Sequence, residues 1–200
     1  GRNDYVLMRS RQLAEQGFVA FAADMYGSAK TTTDPKVAGS WAKALYNNPD
    51  RLRGRARKAL AVLKEGEMVD TARCAAIGFC FGGTSVLHLA YSGADIRAVV
   101  SFHGGLPAPD TAEIDRLTPS ILVLHGADDP TVSHEEIRTF MAGMKALDAD
   151  WQMVFYGNAV HSFTNPDAGD NPARGVAYNE KAAQRAGEDM LQLFDEVLRE

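Results

Sequence analysis

The 200-residue chain reads as an α/β protein, with a doubly wound, mostly parallel sheet carrying helices on both faces. Three observations predict this. Short continuous apolar runs recur at residues 18–23, 73–79, 96–102, 120–125 and 151–156, as strands buried on both faces require. Segments between them place apolar residues three and four apart, the period of helices packed on one side. Gly, Pro and Asp then break the carboxyl ends of these runs, where open α/β sheets assemble their sites.

The elements follow in order. Asn3 or Asp4 caps a first helix carrying Val6, Leu13 and Ala14 on one side, with Gly17 as its stop. Residues 18–23 form a buried strand ending at Asp24. A helix that hands over to a buried strand normally crosses from an earlier strand, so N-terminal strands are expected to be missing from this chain. Residues 25–48 turn to Gly, Thr, Pro and Asp with a helical patch at 41–46. Tyr26, Trp41 and Tyr46 are candidate pocket residues there, although packing of the link on the body is the plainer account. The basic run 51–58 has Leu52, Ala56, Ala59, Leu60 and Leu63 at helical spacing, which makes it the solvated face of a helix reaching Lys64. Residues 73–79 make the next strand, and a helix over 84–91 follows almost at once. Strand 96–102 ends in His103-Gly104-Gly105, and strand 120–125 in Gly126-Ala127-Asp128-Asp129-Pro130. A helix with Ile137, Phe140, Met141, Met144 and Leu147 on one face leads to strand 151–156. After a loop over 157–172, the last helix faces inward with Ala183, Ala186, Met190, Phe194 and Val197.

Composition narrows the function. The length suits one globular domain over residues 1–200. A formal net charge of -5 argues against a nucleic-acid surface. No apolar run nears the roughly 20 residues that cross a bilayer, so no membrane partner is expected. The chain begins at Gly1, so a targeting segment could have preceded it. The two cysteines, Cys74 and Cys80, end one strand about 20 Å apart, too far for a disulfide while the strand is extended. A reducing, cytoplasmic setting fits, with Cys74 as plain core.

The most informative stretch is Ile77-Gly78-Phe79-Cys80-Phe81-Gly82-Gly83. A strand reversing into a helix within two residues strains the turning residue and leaves no room for Cβ atoms nearby. Gly78-x-Cys80-x-Gly82 is therefore a nucleophile elbow with Cys where Ser is usual. The helix aims its N-terminal amides at the sulfur and favours thiolate, and the Phe81 backbone N–H is a candidate oxyanion donor. The bland alternative is a tight turn around a buried cysteine. Neither a Gly-x-Gly-x-x-Gly fingerprint nor a phosphate loop is present, so no nucleotide cofactor is expected.

A thiol nucleophile needs a base. On this architecture the order is nucleophile, acid, histidine. His161, in the loop after the last strand, fits that order. His88 lies within the elbow helix, His134 opens a helix beyond the acid, and His103 and His125 end strands, where hydrogen bonding to nearby backbone is the ordinary role. Asp128 and Asp129 both qualify as the acid, and spacing alone leaves them open. A metal site built from His103, His125, Asp129 and His161 lacks any short-range ligand pair, and no metal is expected.

With these residues placed, the chain resembles the dienelactone hydrolase family of α/β-hydrolases along nearly its whole length. The carriers are the 18–27 run, Gly78-Phe-Cys-Phe-Gly-Gly83, His125-Gly-Ala-Asp-Asp-Pro-Thr-Val132 and Val160-His-Ser-Phe-Thr-Asn-Pro166. The resemblance implies Cys80 as nucleophile, His161 as base and, by Gly126-x-x-Asp129-x-x-Val132, Asp129 as acid. It implies ester or lactone hydrolysis through a thioester, on a small-molecule substrate, by a monomer or homodimer. Thioesterase or acyltransferase chemistry and a non-catalytic ligand-binding role are the alternatives. Two departures stand out. The loop that supplies a glutamate and an oxyanion-hole amide in the family corresponds to Gly1-Arg2-Asn3. Asn165 stands where enzymes acting on dienelactone itself carry a carboxylate-gripping arginine, so another ester or lactone is expected. His103 and Phe163 join Asn165 as candidate pocket residues.

Overall fold

The computed structural model describes residues 1–199. Its chain falls into two compact units, Gly1–Thr71 and Ala72–Glu200.

The first unit is helical. Helix α1 (Asp4–Glu15) starts where Asn3 accepts a hydrogen bond from the Val6 N–H, and the chain leaves it through Gly17 at φ 90°. Helices α2 (Pro35–Tyr46) and α3 (Pro49–Lys64) each place Pro in the first turn behind an Asp or Asn cap, and they pack on each other. Proline suits that position because its missing N–H would go unbonded there anyway. Leu45 and Leu52 are buried, and the Arg55 guanidinium donates to the Met25 carbonyl at 2.6 Å.

Residues 18–23 depart from expectation. They form neither a strand nor a buried run: Val19 and Phe21 are each 47% exposed. Apolar, β-branched composition gives a segment only a readiness to pair, and the ladder partner decides. No strand among the described residues pairs with this one. Asp24 still ends the run, its carboxylate accepting from the Gly27 and Ala29 N–H groups at 2.9 and 2.7 Å and closing a turn.

The second unit holds one parallel sheet of four strands in sequence order: β1 (Ala75–Phe79), β2 (Ala98–Phe102), β3 (Ser120–Gly126) and β4 (Trp151–Tyr156). Among the described residues there are four strands, not five, and β2 leads to β3 through a stretch that holds no helix. Every residue of β2 is buried, as its continuous apolar run requires of a central strand. Helix α4 (Phe81–Tyr91) packs on β1 and β2, and α6 (Glu180–Leu198) on β2 and β3. Helix α6 buries Ala182, Ala186, Met190, Phe194 and Leu198, one residue every four, so the inward face is rotated from the expected Ala183 and Val197. Helix α5 (His134–Ala146) buries Phe140 and Met144, opens with a Ser133/Glu136 capping box and leaves Met141 41% exposed. Among the described residues no helix is long and apolar enough to cross a membrane.

Register is what positions the site. Phe79 pairs with Phe102, so the residues that follow, Cys80 and His103, leave neighbouring strands side by side. The Cys80 N–H donates to the Phe102 carbonyl at 3.1 Å, and the His103 N–H to the Leu124 carbonyl at 2.8 Å. Because all four strands are parallel, the turns after β3 and β4 open at this same end.

Candidate active site

Cys80 sits at the elbow with φ 51° and ψ −117°, capping the first turn of α4. A non-glycine residue in such a conformation costs on the order of 1–3 kcal/mol and persists only where the surroundings dictate it. Gly78 shows how they do. A Cβ there would lie 2.0 Å from the Gly82 carbonyl oxygen, so the strand and the helix start can touch only through glycine. At Gly83 a Cβ would lie 2.6 Å from Ser101 Oγ and 2.9 Å from Gly104 Cα. Gly82 differs from expectation: a Cβ there would meet nothing within 4 Å, so crowding does not explain that glycine.

The expected acid and base do meet. His161 Nδ1 lies 3.0 Å from Asp129 Oδ2, and the ring is therefore held with Nδ1–H donating to the carboxylate. Asp129 is buried and Asp128 exposed, which separates two residues that spacing left equivalent. Thr131 steadies the acid, donating to Asp129 Oδ1 through its hydroxyl at 2.6 Å and its N–H at 2.8 Å. Backbone bonds to Gly175 and Ala177, at 3.2 Å each, fix the stretch that carries His161.

Around the sulfur the structure adds groups that the sequence reading assigned elsewhere or did not see. Ser162 Oγ lies 3.1 Å from Cys80 Sγ, and His103 Nδ1 lies 3.5 Å from it. His103 is thus not simply a strand-end histidine bonded to nearby backbone. It is 1% exposed and reaches Thr164 Oγ1 at 2.8 Å through Nε2. The Cys80 N–H approaches its Nδ1 at 3.3 Å, a bond shared with the Phe102 carbonyl. Two tautomers fit: with Nε2–H donating to Thr164, Nδ1 accepts from the Cys80 N–H, and with Nδ1 protonated it donates to the sulfur. Ser162 and Thr164 both follow His161, on either side of Phe163, and hydroxyls one and three residues past the expected base are the only mark the sequence carries of them.

The remaining expected pocket residues separate. Phe163 is fully buried, edge-on to His103 at 5.1 Å, so it packs beneath the site and lines no open pocket. Asn165 spends its side-chain oxygen on the Asp167 N–H in a short turn. Tyr26 and Trp41 belong to the first unit, where their rings lie 5.5 Å apart, and Tyr46 is 42% exposed. His125 is buried edge-on to Phe155, with its Nδ1 unbonded. Cys74 is buried, as expected of plain core.

Electrostatics favour an ion pair. Burial pushes the Cys80 thiol up, but hydrogen bonding and charge from His103 and His161 outweigh it and hold the thiol at about 5. Burial pulls His161 down, yet Asp129 and the sulfur raise it to about 10. Asp129 stays below the usual carboxylate range: burial opposes this, and its bonds to His161 and Thr131 prevail. A thiolate beside an imidazolium is a nucleophile with its proton already parked.

Although no metal is expected from the sequence, groups able to ligate one converge, and not as the His103, His125, Asp129 and His161 set. Ligand atoms of Cys80, His103 and His161 all lie within 4.8 Å of one another.

Comparison with known proteins gives the family and the fold. The model of the dienelactone hydrolase family matches residues 1–198. An uncharacterized protein of Caenorhabditis elegans is 36% identical over 149 residues, 74% of this chain and 94% of its own. Among solved structures, a dienelactone hydrolase-like promiscuous phosphotriesterase from metagenomic libraries superimposes with a TM-score of 0.93 at 43% identity, covering 98% of this chain and 82% of its own. A structure titled m3DLH gives 0.95 at 41%, covering 99% and 82%. The fold extends to a dienelactone hydrolase of Anabaena variabilis, at TM-score 0.63 and 16% identity over 98% of this chain and 80% of its own.

Proposed function

The chain belongs to the dienelactone hydrolase family, and from that premise we propose that it cleaves carboxylic ester or lactone bonds through a Cys80–His161–Asp129 triad. The observation that carries this reading is the strained elbow. It holds a sulfur within 4.8 Å of a ring nitrogen of His161, and the Nδ1 of that ring is bonded to a buried aspartate. The Cys80 thiolate attacks the carbonyl carbon. The Phe81 N–H, at the start of α4, steadies the oxygen as it becomes negative. His161 gives its proton to the departing alkoxide or enolate, then takes one from the water that cleaves the thioester, while Asp129 keeps the ring in one tautomer. Collapse of the first tetrahedral intermediate can expel thiolate as readily as alkoxide, so substrates with good leaving groups are preferred.

The test is an activated ester, p-nitrophenyl acetate, mixed with metal-free protein. A burst of nitrophenol equal to the Cys80 content, followed by slower turnover, is expected, and Cys80→Ala abolishes both. Persistent turnover in Cys80→Ala would overturn the reading. Because the 43% identical relative is titled a promiscuous phosphotriesterase, an activated phosphotriester belongs in the same panel.

A further inference from the structure

The lone pairs around Cys80 describe more than a triad. In its neutral form with Nε2–H donating to Thr164 Oγ1 at 2.8 Å, His103 carries its lone pair on Nδ1, the nitrogen at which the Cys80 N–H points. In its neutral form His161 carries its lone pair on Nε2, because Nδ1–H is committed to Asp129 at 3.0 Å. In these neutral forms each ring has an outer partner on one nitrogen and a lone pair on the other, and a nitrogen of each lies within 4.8 Å of the one sulfur. Acyl transfer has a use for His161 in this arrangement. The second imidazole, His103, is fully buried against the sulfur, 3.5 Å away, where it cannot reach the leaving group or the water.

We propose that Cys80 Sγ, His103 Nδ1 and His161 Nε2 form a binding site for a zinc-class divalent cation, and that occupancy reversibly silences the nucleophile. The geometry fits. With bonds of about 2.3 Å to sulfur and 2.0–2.1 Å to nitrogen, tetrahedral zinc sets its sulfur and nitrogen ligands about 3.5 Å apart. Cys80 Sγ and His103 Nδ1 are 3.5 Å apart. The other separations lie within 4.8 Å and close by turning His161, whose side chain is 19% exposed on its loop. The donor set is one thiolate and two imidazoles, which selects zinc-class metals over magnesium or calcium, cations that need oxygen ligands. The outer shell is also present: Asp129 behind His161 gives the carboxylate–histidine arrangement common at zinc sites, and Thr164 stands behind His103. Three protein ligands leave a fourth position for water or for Ser162 Oγ, 3.1 Å from the sulfur. A sulfur whose electron pair is shared with the cation cannot attack a carbonyl. The silencing rests on the hydrolase reading; the binding does not.

The test therefore reads binding apart from activity. Reduced, chelator-treated protein is titrated with Cd2+, following the ultraviolet thiolate-to-cadmium charge-transfer band, and with Zn2+ by calorimetry. A band saturating near one equivalent, kept in Cys74→Ser and lost in Cys80→Ser, is expected. His103→Asn suits the probe because Asn tolerates the φ of 40° at this position. It and His161→Asn should weaken binding by more than the roughly 10- to 100-fold that loss of an outer partner costs, and Thr164→Val by about that amount. Ester turnover should fall in step with occupancy and return with chelator. Unchanged affinity in both histidine variants would place the metal on the thiolate alone and overturn the site. Normal binding in a protein without ester turnover would sustain the site while the hydrolase reading fell.

Discussion

Alkylation of Cys80 by iodoacetamide across pH tests the electrostatics of the site, and the informative quantity is the shape of the profile. Lowering the thiol from its ordinary 9.0 to about 5 raises the thiolate fraction at pH 7 from about 0.01 to about 0.99, a gain of roughly 100-fold. The same drop of four units weakens each thiolate: with a Brønsted coefficient of about 0.4–0.5, nucleophilicity falls roughly 40- to 100-fold. The two effects nearly cancel, so the rate at pH 7 resembles that of an ordinary cysteine and decides nothing. The profile decides. An ordinary thiol reacts about tenfold faster per pH unit up to about 8.5. Cys80 should be half-maximal near pH 5 and then flat from about pH 6.5 to pH 9. Mass spectrometry on chelator-treated protein separates it from Cys74, which is 4% exposed and should not react. His161→Asn should move the midpoint upward, because one of the two imidazoles holding the thiolate is gone. A wild-type rate still climbing tenfold per unit between about pH 6.5 and 8 would refute the ion pair and the argument behind it.

The same ion pair predicts the pH dependence of turnover. kcat/KM should fall below about pH 5, as the depressed thiol regains its proton, and above about pH 10, as the raised imidazolium loses the proton it owes the leaving group. Both midpoints belong to the coupled pair. Asp129→Asn removes the bond that raises His161, so the upper limb should move toward pH 6.5, and kcat on a lactone or ester should drop on the order of 100-fold or more as the ring loses its tautomer. An upper limb that stayed in place would deny Asp129 that role. Glycine substitutions separate crowding from chemistry. Gly78→Ala drives a Cβ into backbone and should cost about 3 kcal/mol, a Tm loss of about 6–12 °C by calorimetry, whereas Gly82→Ala, with open space, should leave Tm within about 2 °C. Equal losses would show that the elbow glycines are not explained by close approach.

Four of the five expected strands were legible because each apolar run finds a parallel partner in the sheet, though only the central β2 and β3 are buried nearly throughout and the edge strands β1 and β4 are not. Residues 18–23 carry the same local signal. Pairing is a property of two segments, and one segment cannot announce its partner, so composition misread them. On α6, Ala186, Met190 and Phe194 are buried as expected, while Ala183 and Val197 give way to Ala182 and Leu198 for a related reason. Alanines at 182, 183 and 186 are equally apolar as letters, and only the packed helix shows that Ala182 is buried.

The site was legible where chemistry demands a residue type and obscure where geometry demands a conformation. Cys80, Asp129 and His161 stand out because a thiol between glycines and an acid and histidine after later strands have few other uses together. Nothing in the letters says that His103 and Ser162 touch the same sulfur. The backbone does. Cys80, His103 and Ser162 adopt φ of 51°, 40° and 59°, the left-handed region that ordinary side chains avoid, and their side chains meet at Cys80 Sγ. At roughly 1–3 kcal/mol each, three such residues around one atom cost too much to be incidental to a relaxed fold. None is glycine, because each must carry its side chain into the site, so the residue that normally marks such strain in a sequence is absent where the strain is concentrated. His103 follows the strand residue paired with Phe79, and the register that brings it beside Cys80 therefore also explains why a buried imidazole, not solvent, lies against one side of the nucleophile.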